Sequence, residues 1–188
     1  MKRTPHALRA ATAALIATAG LNSCGDGGNA PQQVVVGLSP EAEAARNKLQ
    51  EKGIECTPKS YMEFLMRNCD AETLQLFMDA GMSGRGALGN GLTPLMLLIL
   101  NCTNKEEAVK CARILIANGA NVNAANNRGV TALHFAGQRS NPELVALLIQ
   151  SGANVNAVDK SGMSVLATTF NSASRQLLID AGAVEKPY

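Results

Sequence analysis

The chain has 188 residues, of which 46% are hydrophobic and 17% charged, with 17 basic and 15 acidic side chains, no tryptophan, two tyrosines and four phenylalanines. With neither a basic stripe nor interleaved aromatics along the sequence, it lacks the footprint of a nucleic-acid binder. The length fits one domain of roughly 145 ordered residues behind a leader.

The leader comes first. Lys2, Arg3 and Arg9 form a positive start, Ala10 to Leu21 is apolar, and small residues follow. This is the plan of a secretory signal, with an apolar core too short to span a bilayer. Residues 1–23 are the predicted signal peptide, and their removal leaves 14 basic against 15 acidic side chains. Leu21-Asn22-Ser23-Cys24 resembles a bacterial lipobox, which implies cleavage before Cys24 and lipid on its sulfur. Ordinary cleavage after Ala17-Thr18-Ala19 is the rival. The absence of aspartate directly after Cys24 resembles sorting to the outer rather than the inner membrane. The chain is therefore expected in the periplasm, held to the membrane only through the lipid anchor.

Residues 24–38 hold a glycine-rich stretch, Gly25 to Pro31, without apolar pattern, and are expected to be a flexible tether. Fully stretched, such a segment reaches about 50 Å. Val34, Val35 and Val36 are expected to dock on the helix that follows. Residues 39–54 read as that helix, a cap opened by Ser39-Pro40-Glu41, with Ala42, Ala45, Leu49 and Gln50 on the side that lies on the next unit.

From residue 55 onward one unit returns. Glycines that close a second helix fall at Gly81, Gly119, Gly152 and Gly182, and matching turn residues at Thr57, Thr93, Thr131 and Ser164. Gly119 to Gly152 and Thr131 to Ser164 are both steps of 33, while Thr57 to Thr93 is 36 and Thr93 to Thr131 is 38. A period of this length means a solenoid in which each unit buries its core against its neighbours. Leu144, Val145, Leu147, Leu148 and Ile149 share one wide helical face, as do Ile114 to Ile116 and Leu177 to Ile179. Asn141 before Pro142 reads as an N-cap with proline at the first helical position. The units are placed at about 55–90, 91–128, 129–161 and 162–188, the last shortened between its helices and the second enlarged by an insertion at Thr103 to Glu107.

Thr131-Ala132-Leu133-His134-Phe135-Ala136 resembles the T-P-L-H-x-A signature of ankyrin repeats, and Thr93-Pro94-Leu95-Met96 matches it with methionine in the histidine position. Gly119 to Ala124 and Gly152 to Ala157 resemble the linker after each helix pair. The resemblance covers Glu55 to Val184 and implies an all-α solenoid of about four helix-turn-helix repeats with short turn linkers. It also implies a concave surface of turn tips and first-helix faces that binds proteins. By position that surface takes Asn127, Arg128 and Val130, then Lys160, Ser161 and Met163, with Leu88 and Asn90 before Thr93. Gln138, Arg139, Leu100 and Asn101 continue it on the first helices. Leu88 and Met163 are expected to be exposed apolar tips.

If lipid consumes Cys24, four cysteines remain in an oxidising space, and three pairings are open. A Cys102–Cys111 bridge would pin the enlarged loop and leave Cys56 with Cys69. A helix between those two holds them some 15 Å apart, beyond the roughly 7 Å a disulfide spans. Cys69 with Cys102 or with Cys111, across adjacent repeats, competes. Small buried apolar thiols are the remaining reading.

Catalysis lacks its parts. After export His134 is the one histidine, and within T-x-L-H it more often bonds neighbouring backbone. The Gly81–Gly91 stretch lacks the lysine and spacing of a phosphate loop, and the scattered cysteines suggest no metal site. No catalytic residue, cofactor, metal or small-molecule substrate is expected. The expected function is an exported, non-enzymatic module, an envelope adaptor or an inhibitor or protector of a protein partner. The alternative is a structural or stress-related envelope lipoprotein with many weak contacts.

Overall fold

A computed structural model describes residues 38–67 and 69–185 of the chain. The predicted signal peptide, Cys24 with its predicted lipid, and Val34 to Val36 lie outside the described residues. Nine helices follow one another among those described: α1 (Pro40–Glu51), α2 (Pro58–Arg67), α3 (Ala71–Asp79), α4 (Pro94–Asn101), α5 (Lys105–Ala117), α6 (Ala132–Gln138), α7 (Pro142–Gln150), α8 (Val165–Thr168) and α9 (Ser172–Asp180). They form an all-α solenoid. First helices stack as one layer, α2 on α4 on α6 on α8, and second helices as another, α3 on α5 on α7 on α9.

Local chemistry sets each helix start. Ser39, Asp70, Thr93, Asn104, Asn141, Ser164 and Asn171 accept backbone N–H groups of their first turns through side-chain oxygens, satisfying donors that a helix leaves unpaired. Asp70 is one of these caps. Its carboxyl lies below the ordinary range because the Thr73 hydroxyl and backbone bond it.

Packing then joins the layers. Leu49, Leu65, Leu74, Phe77, Leu95, Leu98, Leu115, Leu133, Leu144, Leu148 and Leu178 are fully buried in one continuous core. Helix α1 lays Ala42, Ala45 and Leu49 toward α3, closing the first repeat against water. The repeat lengths differ inside the helices themselves. The second repeat carries its extra residues as a 13-residue α5 and an 8-residue α4, against 9 in α7 and 7 in α6, so no enlarged loop exists there. Conversely α8 keeps only four residues. The shortening of the last repeat falls in its first helix.

Cys69 and Cys102 form a disulfide, with Cα atoms 5.3 Å apart and a sequence separation of 33. They occupy equivalent corners, between the two helices of the first repeat and of the second. Cys111 sits on the core face of α5 beside Ala112 and Leu115 and is free, as is the half-buried Cys56. The Cys102–Cys111 and Cys56–Cys69 bridges are thereby replaced. Burial pushes the Cys111 thiol up to about 12, so it stays protonated and unreactive.

Closing a loop of this length removes chain entropy worth about 2–4 kcal/mol. Cys102→Ser is therefore expected to lower stability by about that amount in urea unfolding, whereas Cys56→Ser is expected to change it by under about 1 kcal/mol. Peptide mapping without reduction checks the linkage: a 69–102 cross-link is expected, and a 102–111 one would refute it.

Candidate functional site

The turn tips are the part of each repeat whose backbone is stacked and whose side chains are left over. The tip is Leu88 to Leu92 in the first linker, Asn126 to Val130 in the second and Asp159 to Met163 in the third. Each closes with the same pair of main-chain bonds. Leu88 N–H donates to Leu92 C=O and Gly91 N–H to Leu88 C=O, and the pattern recurs from Asn126 and from Asp159. Side chains finish the turn where they can: Asn126 Oδ1 accepts the Arg128 and Val130 N–H groups, and Asp159 Oδ1 those of Ser161 and Met163. The Ser161 hydroxyl and these backbone donors hold the Asp159 carboxyl below its usual range.

Successive tips are joined through the main chain. Asn127 N–H donates to Asn90 C=O at 3.1 Å, and Lys160 N–H to Arg128 C=O at 2.9 Å. Gly91 and Gly129 make this possible, with φ of 80° and 81°. A Cβ on either would come within 2.9 Å of the next tip's backbone nitrogen. Glycine is required at these two places for conformation and for space alike.

Below the tips, asparagines clamp one linker to the next. Asn123 donates from Nδ2 to Gly152 C=O at 2.8 Å and accepts the Asn154 N–H on Oδ1 at 2.7 Å. Asn156 repeats this on Gly182 C=O and Val184 N–H. The corresponding residue of the first linker is Arg85, whose guanidinium lies over Gly119. Beside it runs an open groove of about 530 Å3, lined among others by Gly84, Arg85, Ala87, Thr93, Asn121 and Ala125.

His134 ties the third repeat to the fourth from within. Its Nδ1 accepts the Thr131 N–H at 3.2 Å, so Nε2 carries the hydrogen and donates to Met163 C=O at 3.3 Å. Burial lowers its pKa from the ordinary value. The residue is a structural strut in the neutral form.

The predicted surface residues divide into two groups. Asn90, Asn127, Arg128, Lys160 and Ser161 are exposed and lie in one row along the stacked tips. Asn101, Gln138 and Arg139 are exposed at the far ends of the first helices, about 10 Å from the tips at 1.5 Å per residue. Leu88, Leu100 and Met163 are half-buried, with Leu88 and Leu100 packed on the core, and Val130 is buried. The expected exposed apolar tips are thus absorbed by packing. Arg85, Asn123 and Asn156 were not singled out, although aligning the linkers puts all three at one position. Among the described residues no three His, Cys, Asp or Glu side chains gather to hold a metal.

The family model for ankyrin repeats (3 copies) matches residues 62–159, more than half of the chain. The chain belongs to the ankyrin-repeat family. Ankyrin repeats are in general non-enzymatic modules that bind protein partners, and their presence supports a protein-protein interaction module here. No curated protein matches it at a significant level.

Two outcomes follow from the struts. Asn123→Ala or Asn156→Ala removes two bonds between repeats at an exposed site, and each is expected to cost about 1–2 kcal/mol in thermal or urea unfolding. For His134 the folded pKa is depressed below the unfolded value near 6.5, so its contribution is intact above about 6.5 and lost as pH falls through the folded value. His134→Met, the residue that Met96 supplies in the second repeat, is expected to flatten stability between about pH 7 and 5. Parallel pH profiles of the two proteins would contradict this.

Proposed function

We propose that this chain is an exported, lipid-anchored ankyrin-repeat protein of the bacterial envelope that holds one protein partner on its turn-tip face, as an adaptor or as an inhibitor or protector of that partner. The observation that carries the reading is the row formed by Asn90, Asn127, Arg128, Lys160 and Ser161. Main-chain bonds fix its shape, while the side chains are exposed. A preorganised backbone with exposed side chains, of which Asn90, Asn127 and Ser161 are also held by local hydrogen bonds, costs little ordering on binding. Residues 1–24 support export and anchoring by sequence alone, and no described helix is long and apolar enough to cross a membrane.

A bulky residue on the row tests the face whatever its chemistry. Asn127→Trp is expected to abolish partner capture from envelope extract of the host by immobilised residues 25–188 while leaving thermal unfolding within about 2 °C. Equal capture by parent and variant would move the binding surface elsewhere, and no partner for either would overturn the reading. Cys24→Ser is expected to shift the full chain from the membrane to the soluble periplasmic fraction.

A further inference from the structure

Three cations that are far apart in the sequence are brought to one edge by the stacked turns. Arg128 and Lys160 stand on neighbouring tips joined by the 2.9 Å bond from Lys160 N–H to Arg128 C=O. Arg85 comes from the first linker, where later linkers place Asn123 and Asn156. Those asparagines bond the following linker at Gly152 and Gly182, whereas Arg85 lies over the equivalent Gly119, whose added Cβ would be 2.8 Å from Arg85 Nε, and makes no such bond.

Nothing in the fold uses these charges. The ion pairs among the described residues are Lys52–Glu72, Lys59–Glu63, Lys110–Glu107 and Arg175–Glu185, and none includes Arg85, Arg128 or Lys160. The one carboxylate on the same tips, Asp159, points its Oδ1 at Ser161 and Met163. From residue 80 to 142 the sequence holds six basic and two acidic side chains. Both acids, Glu106 and Glu107, sit in the first turn of α5, on the second-helix layer.

We propose that this edge seats an extended acidic segment of the partner protein, with carboxylates meeting Arg85, Arg128 and Lys160 in turn. The proposal rests on the reading of the turn-tip face as the binding surface. Charge complementarity names the partner's chemistry: two planar guanidinium forks suit carboxylates bidentately, and the ammonium adds a point charge. Spacing names its shape. Packed helices lie about 8–10 Å apart, and a chain in the polyproline II conformation rises about 3.1 Å per residue with three residues per turn, which puts every third side chain on one face. An acid at every third residue therefore keeps phase with Arg128 and Lys160 on neighbouring tips, while Arg85 adds its charge over Gly119 of the second linker. The groove beside Arg85, with Gly84, Gly86, Ala87, Gly91 and Ala124 in its walls, gives a main chain room to lie close. A nucleic acid would meet only three cations here and no stacking aromatic, which favours polypeptide.

The test is an amide chemical-shift titration of oxidised residues 25–188, which retain every described residue. The probe is a short peptide with glutamate at every third position and alanine and serine between. Shifts are expected within 84–92, 124–130 and 158–163. Affinity is expected to fall roughly tenfold or more in the R85Q/R128Q/K160Q variant, and again at about 0.5 M salt. A peptide of the same composition with its glutamates adjacent is expected to bind more weakly. The proposal is overturned by equal affinity in the triple variant, by shifts centred on Lys110 and Arg113, by tighter binding of a short DNA duplex, or by no binding. Unchanged thermal unfolding verifies the variant's fold, and R128Q/K160Q gives the same comparison should the triple variant unfold. If Asn127→Trp abolishes partner capture and the triple variant does not, the face stands and the acidic segment is wrong.

Discussion

The repeat domain has one continuous core, and neighbours in the stack share it. Among the described residues no helix exceeds 13 residues, and α8 has four, lengths at which isolated helices are marginal in water. Phe77, Leu95, Leu133 and Leu148 are buried in one core that runs on through the adjoining repeats. Stability is then a sum of neighbour interfaces, and the ends are its weak points. At one end α1 covers α3 with two alanines and a leucine and turns glutamates and lysine to water. At the other, Phe170 is 80% exposed, with Ile179 and Val184 also open.

The ties between repeats are not uniform. Asn123 and Asn156 bond the linker that follows them on two sides. The junction of the first and second repeats has Arg85 in that place and no such clamp. There the Cys69–Cys102 bond joins equivalent corners at the opposite end of the first-helix layer. Close by, Glu107 accepts the Ala71 N–H at 3.2 Å, adding an anion to a helix N-terminus. One junction thus exchanges polar clamps for a covalent one, and the continuity of the solenoid is kept by different chemistry at the same function of distance.

How much of this was legible follows from how local each signal is. Glycine stops at Gly81, Gly119, Gly152 and Gly182, all with positive φ, and the Thr and Ser turn starts are readable because they depend on a few adjacent residues. The burial of Leu88, Val130 and Met163 was not, since position on a tip does not say which way a side chain falls when a neighbouring repeat lies alongside. Counting from helix to helix within one repeat likewise left the cysteine pairing open. Cys69 and Cys102 are one period apart, and in a stack residues one period apart are neighbours. The same rule brings Arg85, Arg128 and Lys160 to one edge although no stripe exists along the sequence.

The shape of the tips and the charge they present outward are physically separate in this arrangement. The tips take their conformation from main-chain bonds, from Gly91 and Gly129, and from the inward oxygens of Asn126 and Asp159. The outward side chains of Arg128 and Lys160 contribute no ion pair to the fold. A change of outward residue therefore alters what the edge attracts without altering its shape, whereas a change at Gly129 alters the shape itself. Recognition can shift repeat by repeat, each step adding or removing one charge about 10 Å further along. In the proposed complex the partner's segment is read as a spacing of charges along a fixed ruler, its length set by how many repeats carry an unpaired cation.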